Sequence, residues 1–108
     1  MIINVGHIPG SDSLEKVVSA TLRAVFPFVV RDVVSTTNSL VIASTEGLPG
    51  VRIPAARTVL PAGLDALAAA VGARLGPALD GGAVYTDDRA PVEWLTDLSI
   101  LQYATGQR

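Results

Sequence analysis

Phe28-Val-Val-Arg-Asp-Val-Val34, then Ser35-Thr-Thr-Asn-Ser39, then Leu40-Val-Ile-Ala43: this stretch decides how the chain can fold. Two short apolar runs rich in β-branched residues flank a polar turn, and β-branching suits a pleated, half-buried surface. The pattern predicts an antiparallel hairpin whose strands are apolar on both faces, as expected of a sheet covered on two sides. Working back, Pro27 disfavours helical geometry at Phe26 and so separates the hairpin from what precedes it. There Leu14, Val17, Val18, Thr21, Leu22 and Val25 recur at helical spacing, and Asp12 with Glu15 resembles a capping box at the start. Earlier still, Met1-Ile-Ile-Asn-Val-Gly-His7 is short, apolar and closed by Gly6 and Pro9, which reads as a buried strand.

Beyond the hairpin, Thr45 through Pro54 is a loop rich in glycine and proline. Leu60, Leu64, Leu67, Ala68, Val71 and Leu75 then keep helical spacing, with Gly76-Pro77 as the expected stop. Ala83-Val-Tyr85 reads as a short strand or extended chain, and Pro91 opens a last helix through Val92, Trp94 and Leu95. The order strand, helix, strand, strand, helix, short strand, helix is an α/β pattern with a mixed sheet.

Composition bounds the function. The chain has 108 residues, 49% hydrophobic and 17% charged, which fits one domain spanning residues 1–108. A formal charge of −2 and five aromatic residues leave no basic footprint for nucleic acid. With no cysteine and one histidine, disulfides, thiolate metal centres and histidine-rich metal sites are excluded. The apolar run from Ala24 to Val30 is short and broken by Pro27, so neither a signal peptide nor a membrane span is expected and the compartment reads as cytoplasmic. The glycines match neither G-x-G-x-x-G nor the P-loop spacing, and no G-x-S-x-G elbow is present.

Four residues stand out as candidate substrate-binding groups. His7 follows the first strand, where ligands bind in open α/β sheets. Asp87, Asp88 and Glu93 crowd the string Tyr85-Thr-Asp-Asp-Arg-Ala-Pro-Val-Glu-Trp94. Adjacent carboxylates on extended chain point to opposite faces, so one of Asp87 and Asp88 faces inward. They can accept backbone N–H bonds and complement the helix that Pro91 opens, or one can hold a cationic amine or a ribose hydroxyl. His7 can equally bond to backbone in the turn that follows it. Asn4 and Asn38 read as a strand and a turn residue, and Trp94 as a core or interface anchor. No residue is assigned as catalytic or as a metal ligand.

Two stretches resemble the C-terminal half of spermidine synthase-like proteins, the aminopropyltransferase family. One is Ile2-Ile-Asn-Val-Gly-His7 with the helix Leu14 to Val25, Phe26-Pro27 and Asn38-Ser-Leu-Val-Ile-Ala-Ser44; the other is Thr86-Asp-Asp-Arg-Ala-Pro-Val-Glu93, similar to an acidic "TDD…PVE" ending. The resemblance implies a partial Rossmann-like, methyltransferase-type mixed sheet with an antiparallel hairpin and flanking helices. Met1 to Val5, Phe28 to Val34 and Leu40 to Ser44 would be its fifth, sixth and seventh strands, with the first of these interior to the sheet. It also implies decarboxylated S-adenosylmethionine or S-adenosylmethionine as the parent's cofactor. The glycine-rich loop and catalytic Asp that the family places upstream have no counterpart, so the chain alone is expected to bind no cofactor. Three readings stay open: a noncatalytic C-terminal portion of such a protein, a noncatalytic interaction or oligomerisation module, and a small autonomous enzyme using Asp87, Asp88 or His7. The first two expect a homo-oligomer or a complementing N-terminal half, since a first strand interior to the parent sheet leaves a row of unpaired backbone groups when it stands alone.

Overall fold

The computed structural model describes residues 1–47, 61, 63–86, 88 and 92–106, with backbone only at Val92. In chain order the elements are β1 (Ile2–Gly6), α1 (Ser13–Arg23), β2 (Phe28–Ser35), β3 (Asn38–Ser44), α2 (Asp65–Arg74), β4 (Leu75–Pro77) and α3 (Val92–Ala104). The four strands form one sheet in the order β1-β3-β2-β4, and every neighbouring pair is antiparallel. This corrects the Rossmann-like expectation, because that architecture is built on parallel neighbours joined by crossover helices. Here α1 does carry the chain across from β1 to β2, but β3 folds back between them and separates the two codirectional strands. The first strand is correspondingly not interior: among the described residues β1 is hydrogen-bonded to β3 alone and forms one margin of the sheet.

The predicted hairpin is present, with Val30 opposite Ile42 and Asp32 opposite Leu40, and a register shift between Val33 and Ser35 at the turn. The short strand is elsewhere than predicted. Leu75–Pro77 pairs with β2, whereas Ala83 to Tyr85 is not a strand. Gly76-Pro77 ends the helix as expected, but the chain continues as an edge strand, a place where proline's missing donor costs nothing on the open side. Leu60 and most of the loop from Thr45 to Pro54 lie outside the described residues.

One face of the sheet is closed by α1. Val5, Leu22, Val41 and Ala43 form the core, with Ile3, Leu14, Val18, Phe26 and Val29 packed around it. Alternation along the strands puts Ile3, Val29, Val41 and Ala43 on this face and Phe28, Val30, Leu40 and Ile42 on the other. The capping-box expectation is not met: Asp12 makes no side-chain cap and instead meets Lys16 at 3.0 Å, while Glu15 turns inward and is buried.

Adjacent residues of β2 hold a helix on each face. Arg31 points toward α1, where its Nη2 donates to Glu15 Oε2 at 3.0 Å and its Nε lies 2.5 Å from Oε1. Asp32 points the other way and accepts from Arg74 of α2, Nε to Oδ1 at 2.8 Å and Nη2 to Oδ2 at 2.9 Å. That hydrogen-bonded carboxylate raises the guanidinium pKa of Arg74. The acidic partners, Glu15 and Asp32, are 1% and 2% exposed, so each needs its arginine to be tolerated in the interior.

The segment 78–86 runs over the outer side of α1. Arg23 at the end of α1 donates to the carbonyls of Leu79 (2.6 Å) and Ala78 and pairs with Asp80 at 2.9 Å. Tyr85 N–H donates to Thr21 Oγ1 at 2.9 Å, and that hydroxyl donates to Val17 O at 2.8 Å. Gly82 passes so close that a Cβ there would lie 2.1 Å from Lys16 O.

The Tyr85 hydroxyl is buried and has no hydrogen-bond partner among the described residues, and burial pushes its pKa up from 10.0. A raised phenol pKa means the unfolded chain ionises first, so stability falls as pH rises from the unfolded value through the folded one. Tyr85→Phe is expected to remove this alkaline loss in denaturation curves, and to cost nothing, or to gain about 1 kcal/mol, at neutral pH because an unpaired buried hydroxyl is removed. A large loss at neutral pH would show that the hydroxyl is bonded.

Candidate functional site

Where β1 ends, Gly6, His7 and Ile8 leave the sheet beneath α3, and a cleft of about 360 Å³ opens between them. Leu14 of α1 and Thr37 of the hairpin turn form its floor, and Thr96, Ser99, Ile100 and Tyr103 of α3 form the opposite wall. The strand's carboxyl end places His7 here, as its sequence position suggested. Its backbone N–H closes the ladder by donating to Thr37 O at 2.9 Å. Its side chain points to the α1 face, with Nε2 3.3 Å from Ser39 Oγ and Nδ1 3.4 Å from Ile8 O.

A histidine beside a serine invites comparison with an activated nucleophile, but the geometry does not supply one. Ser39 is fully buried, and the far ring nitrogen faces the Ile8 carbonyl, so among the described residues neither access nor an orienting acid is present. The two described acidic candidates, Asp88 and Glu93, are not gathered around His7. Asp88 is exposed and accepts from Thr86 Oγ1 at 3.0 Å; Glu93 is exposed in the first turn of α3, where a carboxylate complements the helix dipole. Neither lines the cleft. Asp87 and Pro91 lie outside the described residues. Among the described residues no group of three or more His, Asp or Glu is arranged to hold a metal ion, and no helix is long and apolar enough to cross a membrane.

The sheet margin carries the other feature. Met1 and Ala43 exchange hydrogen bonds, N to O at 2.8 and 2.9 Å, and His7 N–H bonds to Thr37. Because antiparallel ladders alternate, the odd-numbered residues of β1 direct their backbone groups toward β3, and Ile2, Asn4 and Gly6 direct theirs outward. The strand has no charged side chain to guard that row. Ile2 is 66% exposed beside it, and Trp94, Ile100, Leu101 and Tyr103 of α3 are exposed as well. Trp94, expected as a core or interface anchor, is thus not in the core of this chain.

Comparison with known proteins finds no matching family model, no matching characterised protein and no matching solved structure.

Sequence reasoning misses Arg31, Asp32 and Arg74, and it gives Glu15 a different role, in a capping box. A signal existed: Arg31 and Asp32 interrupt an otherwise apolar strand, and neighbours in a strand face opposite ways, so each needed a partner on its own side.

Proposed function

We propose that the domain is a noncatalytic interaction module that accepts a β-strand along the open margin of β1. The carrying observation is the outward row of backbone groups at Ile2, Asn4 and Gly6, unguarded by charge, twist-breaking proline or a covering element among the described residues. Natural proteins blunt exposed edges because main-chain donors and acceptors there pair with any suitable strand. The absence of an organised nucleophile, acid or metal group among the described residues fits a binding role better than a catalytic one.

The same margin suits a second reading, in which the chain is the closing portion of a spermidine synthase-like protein and β1 meets a strand carried elsewhere. What favours it is the same outward row at Ile2, Asn4 and Gly6, which a strand of another portion could pair. Decarboxylated S-adenosylmethionine or S-adenosylmethionine would then belong to the other portion.

Light scattering on the purified chain separates these readings. The interaction module is expected to show a mass rising with concentration toward a dimer. Asn4→Pro, which removes an outward donor and leaves the bonds of Ile3 and Val5 to β3 intact, is expected to abolish the rise without unfolding the protein. A wild-type monomer that captures a separate strand-bearing chain, and loses it on Asn4→Pro, supports the second reading. A monomer indifferent to both contradicts the use of this margin altogether.

A further inference from the structure

We propose that the cleft between the end of β1 and α3 is a binding site for a neutral, largely apolar small molecule. Its volume of about 360 Å³ lies within the usual range for small-molecule sites. It is built from four separate parts of the chain, the exit of β1, the first turn of α1, the hairpin turn at Thr37 and one side of α3, so its shape depends on the tertiary fold.

The lining sets the chemistry. Among the described residues no Asp, Glu, Lys or Arg borders the cleft. Both ring nitrogens of His7 face partners within the protein, Nδ1 the Ile8 carbonyl at 3.4 Å and Nε2 the Ser39 hydroxyl at 3.3 Å. Ser99 donates its hydroxyl proton to Leu95 O within α3. The imidazole and Ser99 therefore present mainly their carbon surfaces, alongside Leu14 and Ile100. Tyr103 lines the cleft and is exposed, and its phenol can donate and accept hydrogen bonds. A ligand with an apolar body and a single hydroxyl or carbonyl fits this arrangement. An ammonium group would shed hydration and find no counter-charge, so a polyamine does not fit.

Three probes of similar size, benzyl alcohol, benzylamine and benzoate, test it by titration of the full chain followed through amide resonances. Benzyl alcohol is expected to give saturable shifts clustered on Gly6 to Ile8 and Ser99 to Tyr103, with both charged probes at least about tenfold weaker. Ser99→Leu, which fills the cleft with a good helix former, is expected to remove those shifts. Asn4→Pro is expected to leave them unchanged, so strand pairing and ligand binding fail separately. The proposal is overturned if shifts are unsaturable or lie elsewhere, if charged and neutral probes bind alike, or if a folded Ser99→Leu protein binds as before. The comparison of the three probes requires no variant and decides the matter even if Ser99→Leu does not fold.

Discussion

Arg31→Met is expected to destabilise the protein by about 3–5 kcal/mol, because it leaves the carboxylate of Glu15 buried without its counter-charge. Glu15 sits under α1 at 1% exposure, so solvent does not reach it as a substitute. Small domains have only about 5–15 kcal/mol in total, and a loss of this size takes a large share of it. The informative partner is the double variant Glu15→Leu with Arg31→Met, in which both charges give way to apolar groups of comparable length. Removing the desolvation cost together with the attraction is expected to return most or all of the lost stability. Urea denaturation measures both. A single variant within about 0.5 kcal/mol of wild type would mean that the pair behaves as a surface contact and that α1 is not held as described.

The second large effect is at Gly82. A Cβ there would lie 2.1 Å from Lys16 O, 2.2 Å from the same carbonyl carbon and 2.6 Å from Val17 N. All three are backbone atoms of α1, so no side-chain rotation relieves the contact. Gly82→Ala must lift segment 78–86 from the helix, lengthening the bond from Tyr85 N–H to Thr21. About 1–3 kcal/mol is expected to be lost, as in other overpacked sites. Gly76→Ala, where a Cβ meets nothing within 4 Å, is the control and is expected to stay within about 0.5 kcal/mol. Equal effects at the two positions would contradict the close passage over α1.

The local elements were readable from the chain because their causes are local. Periodicity marks α1, β-branching on either side of a polar turn marks the hairpin, and Pro27 marks the break between them. The sheet's topology was not readable. A three-residue strand at Leu75–Pro77 carries no periodicity, and pairing direction depends on contacts far apart in sequence, such as Arg74 with Asp32. A run of apolar residues also looks the same at a sheet's margin as in its middle, which is why β1 was expected inside. The position of His7 followed from its place after a strand, but the cleft around it needed α3, whose apolar residues encircle the helix and so give no preferred face in sequence. The capping-box pattern cannot distinguish a carboxylate that reaches back to the helix start from one that, like Glu15, reaches down to a strand.

Amide hydrogen exchange along β1 tests most directly whether this strand is an open margin. Ile3, Val5 and His7, bonded to β3, are expected to exchange slowly at every protein concentration. Ile2, Asn4 and Gly6 are expected to exchange fast in dilute protein and to slow as concentration rises and the margin is paired. Uniform slow exchange in dilute protein would contradict an open edge, and uniform fast exchange would contradict the pairing of β1 with β3.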